Sequence, residues 1–413
     1  METYLPRLVD RVLPELLSAL PAVSLTGPRA CGKTTTALRY AHSVARLNRS
    51  GDAVLFQADP ETAIARMEEP ILLDEWQQVP EILDVVKEQV DSDPAPGRFI
   101  LAGSVSAVLR SSWAGTGRVT PVPMYPLTMR ELLGNAVTSN DSFVDRVKRG
   151  TLDRLLPGPD ATIADYMAMA ADGGMPEAAI RLSGRARKAW LEGYLVELTS
   201  RDIASAGGDP DVAKLTAYVA AMATVSGCVV DDSTIFDAAR IGRRTASRYE
   251  ALLQAVFFCD QLPAWWSSRL TRLAALPKRF VLDTAVLMSA LSVTGSTVLK
   301  DVALLGRVLE TFVAMQLRPE LAVSEAQPTM HHLRDHGGRH EVDFILDYGT
   351  GQLVGLEVKA TASPSAADAR HLAWLRDNMG EDFLCGVVLH CGKHSFKLSD
   401  RIYAAPISTI WAD

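Results

Sequence analysis

An α/β protein in three consecutive parts is what this sequence predicts, and three stretches carry the prediction. VSLTGPRACGKTT, residues 23–35, is a β-branched run that ends in a glycine-rich loop and continues into helical sequence. DDSTIFDAARIGRRTASRYEALLQAVFFCDQL, residues 231–262, reads as two helices about a glycine, with short strands after them. EVDFILDYGTGQLVGLEVKA, residues 341–360, reads as two apolar strands joined by a glycine turn, and it carries Asp343, Glu357 and Lys359. The predicted parts are residues 1–155, an α/β unit; 156–280, a helical unit; and 281–413, a second α/β unit.

The bulk composition fits this division. A chain of 413 residues makes roughly two or three domains, and 48% hydrophobic residues suffice to fill their cores. The net charge of −7 argues against coating nucleic acid or an anionic membrane by bulk attraction, so any such contact must be local. No apolar run approaches the roughly 18–20 residues of a membrane span. The opening METYLPRLVDRVLPELL carries acids and prolines throughout, and no secretory signal is expected there. Five scattered cysteines without a CxxC pair fit a reducing cytoplasm and neither a disulfide frame nor a cysteine zinc site.

In the first part, Gly27, four residues, then Gly32, Lys33 and Thr34 give G-x-x-x-x-G-K-[ST] between a strand and a helix. Glycines let the loop of Gly27, Pro28, Arg29, Ala30, Cys31, Gly32, Lys33, Thr34 and Thr35 curl so that its backbone N–H groups, all but that of Pro28, which has none, turn toward phosphate oxygens. Lys33 can reach the β- and γ-phosphates of ATP, and the Thr34 hydroxyl can ligate Mg²⁺. ILLDEWQQVP, residues 71–80, ends its apolar run in Asp74 and Glu75. Asp74 can hold Mg²⁺ through water, and Glu75 can orient or deprotonate an attacking water. A third strand, FILAGS, ends in Ser104, which can sit beside the γ-phosphate. Arg118 follows as a candidate for stabilising charge on the transferred phosphate, in its own chain or a neighbour's, with Arg110 as a competitor.

With those residues in place, GPRACGKTT, ILLDEWQQVP, ILAGSVS and PLTMREL resemble the AAA-type ATPases of bacteria and archaea that carry a C-terminal domain of unknown function. DGGMPEA (172–178) and PKRFVLDTAVL (277–287) resemble motifs of the rest of that group. The resemblance implies nucleotide binding and hydrolysis, and makes self-association plausible, because such modules often need a neighbour's arginine.

The second part opens after LLPGPDATIAD, residues 155–165, whose prolines and glycine mark a boundary. Within residues 231–262 the expected helix, turn at Gly242 and second helix suit a winged helix-turn-helix, whose second helix can enter a DNA groove. Residues 240–279 hold eight arginines and lysines against Glu250 and Asp260. Such a local excess suits phosphate contact, with Arg243, Arg244 and Arg248 as the candidate DNA-binding residues. The alternative is a protein-contact element whose arginines face water.

In the third part, strand alternation puts Glu357 and Lys359 on one face and lets Asp343 converge with them. Aspartate, then Glu-x-Lys fourteen residues on across a hairpin, resembles the core of PD-(D/E)xK nucleases, with Val342 in place of the usual proline. The resemblance implies a restriction-endonuclease-like α/β domain. It also matches Glu310, on the amphipathic GRVLETFVAMQL, to an acidic residue of the first helix. Asp343, Glu357 and Glu310 would supply hard oxygen ligands for Mg²⁺ or Mn²⁺, and Lys359 would polarise the attacking water. The alternative is a static ion network on an inactive scaffold. The histidines of HHLRDHGGRH read as a hairpin rather than a metal site.

Overall fold

The computed structural model describes residues 4–104, 117–138, 142–150, 160–265, 275–335, 338–349 and 351–412. The first unit is built on a five-stranded sheet of β1 (Ala22–Thr26), β2 (Ser43–Arg46), β3 (Ile71–Asp74), β4 (Phe99–Gly103) and β5 (Thr120–Pro123). Its order is β2-β3-β4-β1-β5 and every pairing is parallel. A parallel sheet is covered on both faces, and the strand sequences match: Ile71–Asp74 and Phe99–Gly103 are buried at every position. One face takes the helix Ile82–Ser92, whose Ile82, Leu83, Val85, Val86 and Val90 form a single apolar stripe. The other face takes Val9 and Leu13.

Helices dominate the next stretch: Ile163–Asp172, Gly184–Glu197, Val212–Thr224, Asp232–Ala238 and Arg243–Ala255. After them β6 (Cys259–Leu262) and β7 (Lys278–Val281) pair antiparallel. The last helix buries Ala246, Tyr249, Leu252 and Leu253 and leaves Arg243, Arg244 and Arg248 exposed.

The final unit is a six-stranded sheet of β8 (Thr329–Arg334), β9 (Glu341–Asp347), β10 (Leu353–Lys359), β11 (Phe383–His390), β12 (Phe396–Ser399) and β13 (Ile402–Pro406). The order is β12-β13-β11-β10-β9-β8. β9 runs antiparallel to its neighbours β8 and β10, and β10, β11 and β13 run parallel. The long helix Val302–Ala322 covers one face through Val308, Phe312 and Val313, and the helix Arg370–Met379 covers the other through Leu372 and Leu375. Both β9 and β10 are therefore buried on two faces, not one.

The boundary expected at residue 280 falls inside β7. One apolar core runs from Phe143 through Tyr218, Leu253, Phe280 and Phe312 to Leu356 and Trp411. The second and third expected units thus share a core, because the long helix packs against both. The boundary expected near residues 155–165 lies mostly outside the described residues. Where the first unit meets the rest, Leu127 N–H donates to the Gly174 carbonyl at 2.7 Å, and Gly174 N–H donates to Asp283 at 2.7 Å. A Cβ on Gly174 would stand 2.2 Å from the Leu127 carbonyl oxygen, so only glycine admits this approach. Among the described residues no helix is long and apolar enough to cross a membrane.

Candidate functional site

The first site lies at the C-terminal edge of the parallel sheet. β1 ends at Thr26, and the chain turns through Gly27 to Gly32 into the short helix Lys33–Ala37. A Cβ on Gly27 would lie 1.9 Å from the Met124 carbonyl oxygen, and Gly32 has φ +102°, so both positions require glycine. Lys33 is buried, and its ammonium donates to the Gly27 and Pro28 carbonyls at 3.0 and 2.8 Å. It is thereby held inside the curl of the loop. The Thr34 hydroxyl donates to Asp74 Oδ1 at 2.7 Å. Asp74 closes β3, which β4 separates from β1, so two distant segments meet here. Glu75 follows in a left-handed conformation, with φ +56°, and its carboxylate accepts from Gln77 Nε2. Ser104 follows β4, and Gly103 pairs with Thr26, so Ser104 stands level with the start of the loop.

Thr34 and Asp74 offer adjacent oxygens of the kind Mg²⁺ takes, and the Gly27–Gly32 loop curls around the Lys33 ammonium between strand and helix, as a phosphate-binding loop does. The residues present therefore fit a magnesium nucleotide. Beside the loop is a cleft of about 540 Å³ lined by Tyr4, Leu5, Gly32, Thr35, Pro176 and Ile180.

Three arginines place themselves unexpectedly. Arg118 donates to Asp91 at 2.8 Å, at the end of the sheet where β5 begins. The loop lies at the other end, about 16 Å of strand away, so the expectation that Arg118 serves its own chain's phosphate is corrected. Its competitor Arg110 lies outside the described residues. Arg7 carries no motif signal in the sequence. Buried behind the loop, it donates to the Cys31 and Tyr125 carbonyls, each at 2.7 Å, and to Glu131 at 3.0 Å. Arg29, within the loop, donates to Asp202 at 2.5 Å. Burial raises the pKa of Asp202, while Arg29 draws it back down.

The second constellation is in the C-terminal sheet. Leu356 pairs with Phe344, and two residues beyond Leu356 the Val358 N–H donates to Asp343 Oδ2 at 2.9 Å. Asp343 and Glu357 are therefore neighbours at the end of the β9–β10 ladder. Lys359 donates to Glu357 Oε1 at 2.7 Å. The expected metal position is reached by another side chain: the Lys278 ammonium, 1% exposed, pairs with Glu310, with Asp343 Oδ1 at 3.2 Å and with Glu341 at 3.8 Å. Burial disfavours its charge, yet Glu310, Asp343 and Glu341 outweigh burial and raise its pKa. Burial first, and Asp343 second, push Glu357 up to about 8 and Glu310 well above the ordinary carboxylate range.

These residues do not fit a divalent ion as arranged. Both Asp343 oxygens have donors, Glu310 faces Lys278, and one Glu357 oxygen faces Lys359. Among the described residues no three His, Cys, Asp or Glu side chains are gathered so as to hold a metal ion. The expected ligand set of Glu310, Asp343 and Glu357 is corrected accordingly, because an ammonium stands between the carboxylates.

The basic surface is smaller than the sequence count. Arg240, Arg243, Arg244 and Arg248 are exposed, but Lys278 and Arg279 are buried, and Arg279 pairs with Asp232 and Glu250. Arg269 and Arg272 lie outside the described residues.

A parallel sheet with the loop strand and the acidic strand separated by one strand, with a loop lysine and a Thr–Asp pair at one edge, defines a P-loop ATPase domain. Residues 20–133 match the family model described as AAA domain. Residues 163–297 and 305–410 match two models described as domains of unknown function, DUF8612 and DUF4143. Uncharacterized proteins of Mycobacterium tuberculosis and Mycobacterium bovis are each 26% identical over 400 residues, covering 95% of this chain and 82% of theirs. A solved structure of a Walker-type ATPase of Pyrococcus abyssi aligns over 68% of this chain and 94% of its own, at 14% identity and a TM-score of 0.33.

Proposed function

We propose that the protein is an ATP-driven switch that acts on DNA, binding through the helix Arg243–Ala255 and not cleaving. The observation that carries the ATP half is the Thr34–Asp74 contact beside a lysine held within the loop. Thr34 and Asp74 would hold Mg²⁺, which when bound neutralises charge between the β- and γ-phosphates. Backbone N–H groups of Arg29 to Thr34 and the Lys33 ammonium bind and orient the phosphates. Glu75 positions the attacking water and takes its proton, and Ser104 stands near the departing phosphate. The nucleoside occupies the cleft between Tyr4 and Ile180, so nucleotide touches both the sheet and the helical region.

The DNA half is supported by three arginines on one exposed helix start, following a turn at Gly242 and preceding an antiparallel strand pair. That order suits a winged helix-turn-helix. Among the described residues of this stretch the exposed positive charge is that of Arg240, Arg243, Arg244 and Arg248, so binding would be weak and salt-dependent. The C-terminal sheet brings together the Asp343 and Glu357 of the nuclease resemblance, but the Lys278 ammonium stands among its carboxylates. We read it as a scaffold that fixes the helical region.

The test is fluorescence anisotropy with a duplex oligonucleotide, with and without ATP and Mg²⁺, beside an ATPase assay. Lys33→Ala should lose nucleotide binding. Glu75→Gln should bind ATP with turnover lowered by roughly two to three orders of magnitude. Replacing Arg243, Arg244 and Arg248 by alanine should lower the salt slope of DNA binding by about three. Unchanged turnover in Glu75→Gln overturns the role given to Glu75, and unchanged nucleotide binding in Lys33→Ala overturns the nucleotide site. An unchanged DNA isotherm in the triple variant overturns the DNA assignment.

A further inference from the structure

We infer that Lys278 is a tethered counter-ion that closes the acidic pocket of the C-terminal sheet to divalent metal, making that pocket the clasp that locks the β6–β7 hairpin to the sheet. The lysine does not belong to the sheet. It opens β7, the second strand of the hairpin, and crosses to Glu310 on the long helix and Asp343 and Glu341 on β9. Its nitrogen stands among carboxylates from two elements, which is the position a bridging cation would take.

The hydrogen bonding agrees. Asp343 spends one oxygen on Lys278 and the other on Val358 N–H. Mg²⁺ or Mn²⁺ would need several of these oxygens at close to 2 Å in octahedral array, and the ammonium would have to leave first. An ammonium tethered to its own backbone competes intramolecularly, at an effective concentration that free metal must exceed. It carries one charge where the metal would carry two, and it leaves the buried Glu357 Oε2 without a hydrogen-bond partner.

The surroundings show what the clasp holds. Just beyond β6, Trp265 N–H donates to the His332 carbonyl at 2.6 Å, and its indole N–H donates to Asp347 at 3.0 Å. Just before β7, the Leu276 carbonyl accepts from His332 Nε2 at 3.1 Å. Both strands of the hairpin thus meet β8 and β9 where they join the connecting segment, and Lys278, at the start of β7, adds the charged contact. The hairpin directly follows the helix Arg243–Ala255, so the clasp fixes the orientation of that helix relative to the sheet.

The inference rests on the reading of the C-terminal sheet above, not on ATP hydrolysis, and Lys33→Ala should leave its test unchanged. Full-length protein without nucleotide is titrated with Mn²⁺ while free Mn²⁺ is followed by electron paramagnetic resonance. Wild type should show no Mn²⁺ site that Asp343→Asn removes. Lys278→Gln should gain one Mn²⁺ per chain, at least roughly tenfold tighter than any wild-type binding, and lose it again on adding Asp343→Asn. An Asp343-dependent site in wild type overturns the inference, and so does a folded Lys278→Gln that gains none. Should Lys278→Gln fail to fold by circular dichroism, Lys278→Met combined with Glu310→Gln and Asp343→Asn decides. A clasp made only of opposed charges predicts that this neutral triple folds, and a triple that stays unfolded overturns it.

Discussion

Single side chains in this protein are set by what surrounds them. His332 is the clearest case. It is buried beside Lys278, and its ring N–H donates to the Leu276 carbonyl. Burial first, and Lys278 second, push its pKa down from 6.5 to about 4. The unfolded chain therefore takes up a proton before the folded one does. Stability from this residue is complete above about pH 6.5 and is lost as the pH falls toward 4, by on the order of 2 kcal/mol. Thermal melts from pH 7 to 4 should show wild type losing Tm faster than His332→Gln, and parallel curves would contradict this. Lys278 makes a related point about legibility. Strand alternation put Asp343 and Glu357 on one face from the sequence alone. The lysine that meets Asp343 lies 65 residues earlier, and no periodicity connects a strand of one sheet to the pocket of another.

At the scale of elements, local grammar was readable and edge assignment was not. The strand, loop and helix around Gly27 to Thr34 are contiguous, so their geometry follows from neighbouring residues. Arg118 is also close in sequence to Ser104, yet β5 begins at the far edge of the sheet, so proximity along the chain misled. For the proposed switching, the element pair to test is the phosphate loop and the segment Leu198–Asp202, joined by Arg29 and Asp202. That segment packs on the helix Val212–Thr224, which packs in turn on Asp232–Ala238, so a change at the loop has a physical route to the arginine-bearing helix. Arg29 is partly exposed, so the pair adds little to stability, about 1 kcal/mol or less. Asp202→Asn should leave the melt within a degree or two while the ratio of DNA affinities with and without ATP falls toward one. If that ratio stays at its wild-type value, the pair is no part of the coupling.

Across the whole molecule, one buried ion pair joins beginning to end. Arg130, in the helix Met129–Leu132, donates to Glu320 of the long helix at 2.6 Å and to the Ile410 carbonyl at 2.7 Å, and both partners are 1% exposed. The other Glu320 oxygen accepts from Phe143 N–H at 2.9 Å. Three regions of chain, separated by up to 280 residues, thus depend on two side chains. The sequence held no hint of this, because Arg130 and Glu320 are unremarkable charges on amphipathic helices until tertiary packing removes their water. A buried pair is not strongly stabilising in itself, since desolvation offsets attraction, but removing one member strands the other. Arg130→Met should therefore cost about 3–5 kcal/mol in urea unfolding. Arg130→Met with Glu320→Leu should recover much of that loss, because no unpaired charge remains. Simple addition of the two single costs in the double variant would instead mean that each side chain acts through its separate backbone contacts. The unit with the phosphate loop would then be fastened to the rest at Leu127, Gly174 and Asp283, rather than through this charge.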